Sequence, residues 1–141
     1  MEEDTRQKPL VLILARDLAT RLASPMFVVD AEGTLVFFNE AAEMVLGQTF
    51  ADAGEMKAEE WATAFEPADE EGRELTLREL PLGVALFHGR PSHRTFRIRS
   101  ADGVVRGLAA TGLPLRTHPN ELVGAVALFW DLGEAEEEDD L

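Results

Sequence analysis

Cysteine and tyrosine are both absent from the 141 residues. The first absence excludes disulfides, thiolate nucleophiles, Cys-ligated zinc and iron–sulfur clusters together, and the second removes a phenol that could serve as a catalytic acid. Long apolar runs are missing too. The longest, Leu10 to Ala15, is far short of the ~20 residues that cross a bilayer, and Glu2, Glu3 and Asp4 stand where a signal peptide would carry bases. A soluble, cytoplasmic protein without membrane contacts is therefore expected. Bases are scarce: 13 Lys and Arg against 27 Asp and Glu leave a formal charge of −14. Such a molecule repels phosphate backbones, so nucleic acid is not an expected partner. There is no Gly-rich phosphate loop, no strand-turn-helix elbow around Ser24, Ser92 or Ser100, and no His pair at i, i+3 or i, i+4. Catalysis and metal binding have no visible constellation.

What is present is enough apolar material, 45% of residues, for one domain with a real core. Its charge is uneven. Glu134 and Glu136 to Asp140 form an acidic end, whereas His88 to Arg106 holds Arg90, Arg94, Arg97, Arg99 and Arg106 against Asp102 alone.

Residues 1–8 are expected to be disordered, and residues 9–23 read as an amphipathic helix because Leu10, Leu14, Leu18 and Leu22 recur every four residues. Pro25 stops it. Met26–Val29 and Thr34–Phe38 then read as strands joined by the turn Asp30-Ala31-Glu32-Gly33. Asn39 is placed to cap a helix over Glu40–Leu46, with Gly47 just past its end. Between Gln48 and Leu80 the pattern weakens, with a short helix expected over Met56–Phe65. Pro81 and Gly89 bracket a further helix, Leu82–His88. After Pro91 the period becomes two: Phe96 and Ile98 alternate with Thr95, Arg97 and Arg99, and strands follow over Val104–Leu115 and Leu122–Trp130. Both faces of that last strand are apolar, Leu122, Val126, Leu128 and Trp130 on one, Val123, Ala125, Ala127 and Phe129 on the other. It must be covered on both sides.

The run Ser24 to Ala42 with Leu46-Gly47 resembles the opening of the PAS family: strand, Asp-x-x-Gly turn, second strand, Asn-x-Ala helix start and Gly. Pro81-Leu82, Ala85-Leu86 and Gly89 resemble its connecting helix. Asp102-Gly103, Pro114-Leu115, Val123-Gly124-Ala125-Val126 and Asp131-Leu132 resemble its last three strands and the Asp that closes them. The likeness spans about Leu22 to Leu132, and its weight comes from ordered accumulation.

The resemblance implies an α+β, five-stranded antiparallel sheet over residues 24–132, with short helices on one face, the N-terminal helix beside it and an acidic tail at 133–141. It implies a non-catalytic sensory or regulatory module in signal transduction, acting through homodimerisation and contacts with a partner or effector protein. An alternative is a small-molecule sensor holding a fatty-acid-like ligand or a non-covalent flavin. A cysteinyl-flavin is excluded by the missing thiol. Haem is argued against, because the family's haem-binding His lies more than two turns before the Gly, whereas His88 directly precedes Gly89; the cofactor stays open. Trp61, Met56 and Phe65 read first as core packing, with ligand contact as the alternative; if there is a cavity, Phe37, Met44, Leu86, Phe87, Phe96 and Leu128 complete its apolar wall. A dimer interface is expected from Leu10, Leu14, Leu18 and Leu22 with Ala125, Ala127 and Phe129. Arg97 and Arg99, with Arg94 nearby, should project from the outer sheet face as ordinary solvated charges, with docking of the acidic tail or of an acidic partner segment as the sharper alternative. Gly133 and the acids after Asp131-Leu132 argue against a rigid C-terminal relay.

Overall fold

The computed structural model describes residues 10–134. The disorder expected for residues 1–8, the helix start at Pro9 and all of the acidic tail after Glu134 lie outside the described residues. Helix α1 spans Leu10–Arg21. Strands β1 (Met26–Asp30) and β2 (Leu35–Phe38) form the first hairpin, followed by α2 (Glu40–Leu46), α3 (Phe50–Ala53) and α4 (Ala58–Ala64). A 3₁₀ turn, Leu77–Glu79, leads into α5 (Pro81–His88), and β3 (Ser92–Arg99), β4 (Val105–His118) and β5 (Glu121–Glu134) complete the chain. The sheet order is β2-β1-β5-β4-β3, antiparallel at every pairing.

The breaks fall where backbone chemistry demands them. Asp30 Oδ1 accepts from the N–H groups of Glu32 and Thr34, which closes the β1–β2 turn. Gly47 and Gly89, with φ of 73° and 66°, end α2 and α5 in the left-handed region that a Cβ disfavours.

Asn39 ties four segments together. Its Oδ1 accepts from Met26 N and Ala42 N, and its Nδ2 donates to Ala19 O and Ser24 O. One 2%-exposed amide thus caps α2, starts β1 and holds the end of α1. Every hydrogen-bonding site on it that faces the core is engaged, which is what makes its burial affordable.

The sheet separates two apolar layers. On its inner side Val29, Leu35, Phe38, Ala125, Ala127 and Phe129 pack beneath α2, α4 and α5. On its outer side Met26, Val28, Val36 and Val126 pack beneath Leu12, Ala15 and Ala19 of α1. Two alanines on that helix face let it approach closely, and burial of Leu12 stabilises the contact by about 2 kcal/mol.

Two differences from expectation concern strand ends. β5 continues past Asp131 to Glu134, paired with β4 through Leu108↔Asp131, Gly107↔Gly133 and Arg106↔Glu134, with a register shift beside Leu108. Asp131 therefore does not close the strand; its Oδ2 lies 3.1 Å from Arg106 Nη1, and this cross-strand pair holds the extension. β4 likewise runs three residues beyond Leu115, to His118.

Candidate functional site

Two apolar sites lie back to back on the sheet. The inner one is a void of about 70 Å³ between sheet and helices. Its floor comes from alternate strand residues: Phe27 of β1, Phe96 and Ile98 of β3, Leu108 and Ala110 of β4, Ala127 and Phe129 of β5. Its roof comes from Leu46, Trp61, Phe65 and Pro67, and from Leu80, Pro81 and Leu82 where α5 begins. Phe27 meets Phe129 edge-on at 5.3 Å between ring centres and Phe38 at 5.5 Å, so that corner is aromatic and stiff. The one polar side-chain group in the wall, Trp61 Nε1, donates to Gly33 O at 2.7 Å.

Of the residues expected at a cavity, Trp61, Phe65 and Phe96 line this void. Leu86 and Met56 belong to the same core but lie beside the void. Four others are elsewhere. Met44 is 76% exposed, because α2 buries Ala42, Val45 and Leu46 and turns Met44 outward. Phe87 is 42% exposed, with the Arg78 guanidinium 4.6 Å above its ring. Phe37 packs on the outer layer under Arg16, since a register shift between Val28 and Val29 turns both Val36 and Phe37 that way and leaves Phe38 inward. Leu128 also faces outward. The faces of β5 are reversed from expectation: Ala125, Ala127 and Phe129, expected at a dimer interface, are inner-core residues.

The outer site is an open groove of about 590 Å³ along the β4 flank of α1. Val11, Leu14, Leu18 and Leu22 make its helical wall, and Leu113, Leu115, Val126 and Leu128 its floor. Leu10, Leu14 and Leu18 are 67%, 57% and 52% exposed. The residues that floor the groove, unlike the α1 wall, were legible only once the register of β4 and β5 is known.

Two arginines of the basic segment have local partners. Arg94 Nη1 reaches Glu79 O at 3.4 Å, so this side chain turns toward the helical side. Arg99 donates to Gly103 O and lies 3.5 Å from Glu66. Beside them the strap Phe65–Ala68 adds to the β3 edge through Ala68 N to Arg97 O (2.9 Å), Arg97 N to Ala68 O (2.8 Å) and Arg99 N to Phe65 O (2.7 Å).

Asp69 anchors the turn after the strap. It accepts from the backbone N–H groups of Arg73 and Glu71 and from Arg73 Nε, and pairs with Arg73 Nη2 at 2.9 Å. The Arg73 N–H, with help from its guanidinium and from Glu71 N–H, holds the Asp69 carboxyl below the usual range against the opposing pull of burial. A folded value below the unfolded one, about 3.9, gives stability that is complete above that value and is lost as pH falls through the folded one. Melting temperatures of wild type and Asp69→Asn measured from neutral pH downward should therefore converge in acid; a gap independent of pH would show that the charge is not what the turn uses.

None of the three histidines lines the void: His88 is exposed at the end of α5, His93 Nδ1 lies 2.8 Å from Thr111 Oγ1, and His118 is near Glu121. Among the described residues no three His, Asp or Glu side chains gather as a metal site, and no helix is long and apolar enough to cross a membrane. The side chains around the void include no haem ligand, and their one polar group, Trp61 Nε1, is already bonded to Gly33 O.

No protein-family model and no curated protein matches the chain. Solved structures do. The PAS domain of Bordetella pertussis BvgS is 23% identical with a TM-score of 0.59, over 89% of each chain. The PAS domain of the fruit-fly ELK potassium channel is 11% identical with a TM-score of 0.68, over 86% of this chain and 97% of that one. A Rhodobacter sphaeroides LOV protein is 17% identical with a TM-score of 0.68, over 89% of this chain and 69% of that one. With the strand order and the helix-covered inner face already described, these likenesses show that the chain has the PAS fold.

Proposed function

We propose that this chain is a non-catalytic, cytoplasmic sensory or regulatory module of signal transduction that works through homodimerisation and contacts with an effector protein. The observation that carries the reading is the ridge of α1, where Leu10, Leu14 and Leu18 stand more than half exposed beside an apolar groove. An apolar ridge next to an apolar groove suits an isologous pair, in which the ridge of each copy fills the groove of the other about a two-fold axis. Changing Leu14 and Leu18 together to Glu is expected to give folded monomers by light scattering, because neither side chain is buried within one copy, with a melting temperature lower by the stabilisation that the dimer supplies. An unchanged dimer, or a wild-type protein that is monomeric at tens of micromolar and above, would refute the dimer.

A second reading, a sensor for an apolar small molecule, is favoured by the inner void, an unfilled space in a core that is otherwise closely packed. Its size bears on which molecules are candidates. Sites for drug-sized ligands run to about 300 Å³ and more, so a fatty-acid-like chain exceeds the space.

A further inference from the structure

We infer that the inner cavity rejects flavin, the cofactor its fold allows, and selects compact guests without hydrogen-bonding groups, such as a noble-gas atom or a hydrocarbon of very few carbons. The selectivity rests on the second reading above for its positive half; the rejection of flavin stands without it.

The first ground is space. The void of about 70 Å³ is roughly half the ~150 Å³ of an apolar cavity that takes benzene or xenon. A three-ring isoalloxazine needs several times that volume.

The second ground is that the roof is pinned at separate points. Trp61 Nε1 is bonded to Gly33 O. The strap carrying Phe65 and Pro67 is bonded to β3 at Arg97 and Arg99. The start of α5 lies on Gly112 of β4, where an added Cβ would collide with the backbone of Pro81. Expansion to flavin size breaks at least one of these contacts.

The third ground is chemical. A flavin ring presents two carbonyls, an N–H and ring nitrogens along one edge, and each must find a partner once removed from water. The side-chain amides among the described residues are those of Asn39, Gln48 and Asn120, and none of the three lines the void. Asn39, the buried one, has both ends of its amide engaged. A guest with no polar edge makes no such demand, and a dry apolar void gains dispersion contacts from any atom that fits.

The test uses the full chain and the Ala110→Val variant, whose added methyl groups enter the void from the centre of β4. FMN fluorescence and the protein's melting temperature should stay unchanged on mixing, at protein in about tenfold excess, while xenon NMR shows a protein-dependent shift with wild type that Ala110→Val abolishes. Thermal melts confirm that the variant is folded. Saturable FMN binding would overturn the inference and leave a small-molecule sensor standing. Loss of the xenon shift in wild type would refute both the selectivity and the sensor reading, and an equal shift in Ala110→Val would place the xenon outside this void and overturn the assignment.

Discussion

Replacing Gly112 by alanine is expected to lower the melting temperature by about 10 °C or more, or to leave the domain unfolded at 37 °C. Gly112 sits in the middle of β4, paired with Ser92 on one side and Ala127 on the other, so the strand cannot slide to make room. A Cβ there would run into the carbonyl of Pro81 and lie 3.0 Å from Leu82 N. These are backbone atoms at the first turn of α5, and α5 cannot retreat because Leu82, Ala85 and Leu86 are buried in the core. The overlap has no flexible partner to absorb it, which puts the loss at about 3 kcal/mol or more. Gly107→Ala in the same strand is the control. Its Cβ would meet Leu132 at an ordinary 3.6 Å, and its melt should stay within a few degrees of wild type. Equal melts for the two variants would mean that α5 does not bear on β4 as described.

Asn39→Ala is expected to cost about 3 kcal/mol by urea denaturation. The cap on α2 accounts for about 1 kcal/mol of this, and the rest comes from Ser24 O and Met26 N, which lose their partner in or near the core. Ala19 O is cushioned, since Leu22 N also bonds to it at 3.2 Å. Asn39→Asp separates the two halves of the amide. It keeps the acceptor for Met26 and Ala42 but sets a carboxylate against the carbonyls of Ala19 and Ser24, and should be no better than alanine. Because the Nδ2 bonds hold the end of α1 and the segment after it, both variants should also expose the α1–β1 connection to limited proteolysis at a protease level that leaves wild type intact. A stable, protease-resistant Asn39→Ala protein would show that water replaces the amide.

Much of the architecture was readable from the residues because its punctuation is local. Pro25, the Asp30–Gly33 turn, Asn39, Gly47, Pro81 and Gly89 each answer to a backbone requirement that needs no knowledge of the rest of the chain. The faces were not readable in this way. Phe37 and Phe38 are identical side chains, and only the irregular pairing with β1 decides which one turns inward. β5 is apolar on both sides, so its pattern states that it is covered twice and is silent on which cover lies where. Assigning its faces needs the pairing Phe27↔Ala127 and Val28↔Val126, a long-range fact. Between Gln48 and Leu80 the obstacle was different: α3 and the 3₁₀ turn have 4 and 3 residues, too few for a period to show.

The doubly covered β5 also constrains how this chain can change in length. Ala127 and Phe129 wall the void, while Val126 and Leu128 floor the groove, so odd and even positions from Ala125 to Phe129 hold separate duties. Loss or gain of a single residue there transposes them, sending Phe129 to the α1 side of the sheet and Leu128 to the side of α2, α4 and α5, whereas a change of two restores the phase. Tolerance of insertions within β5 is thus periodic, behaving like a frame of two, while the exposed turn at Pro119 and Asn120 is free of it.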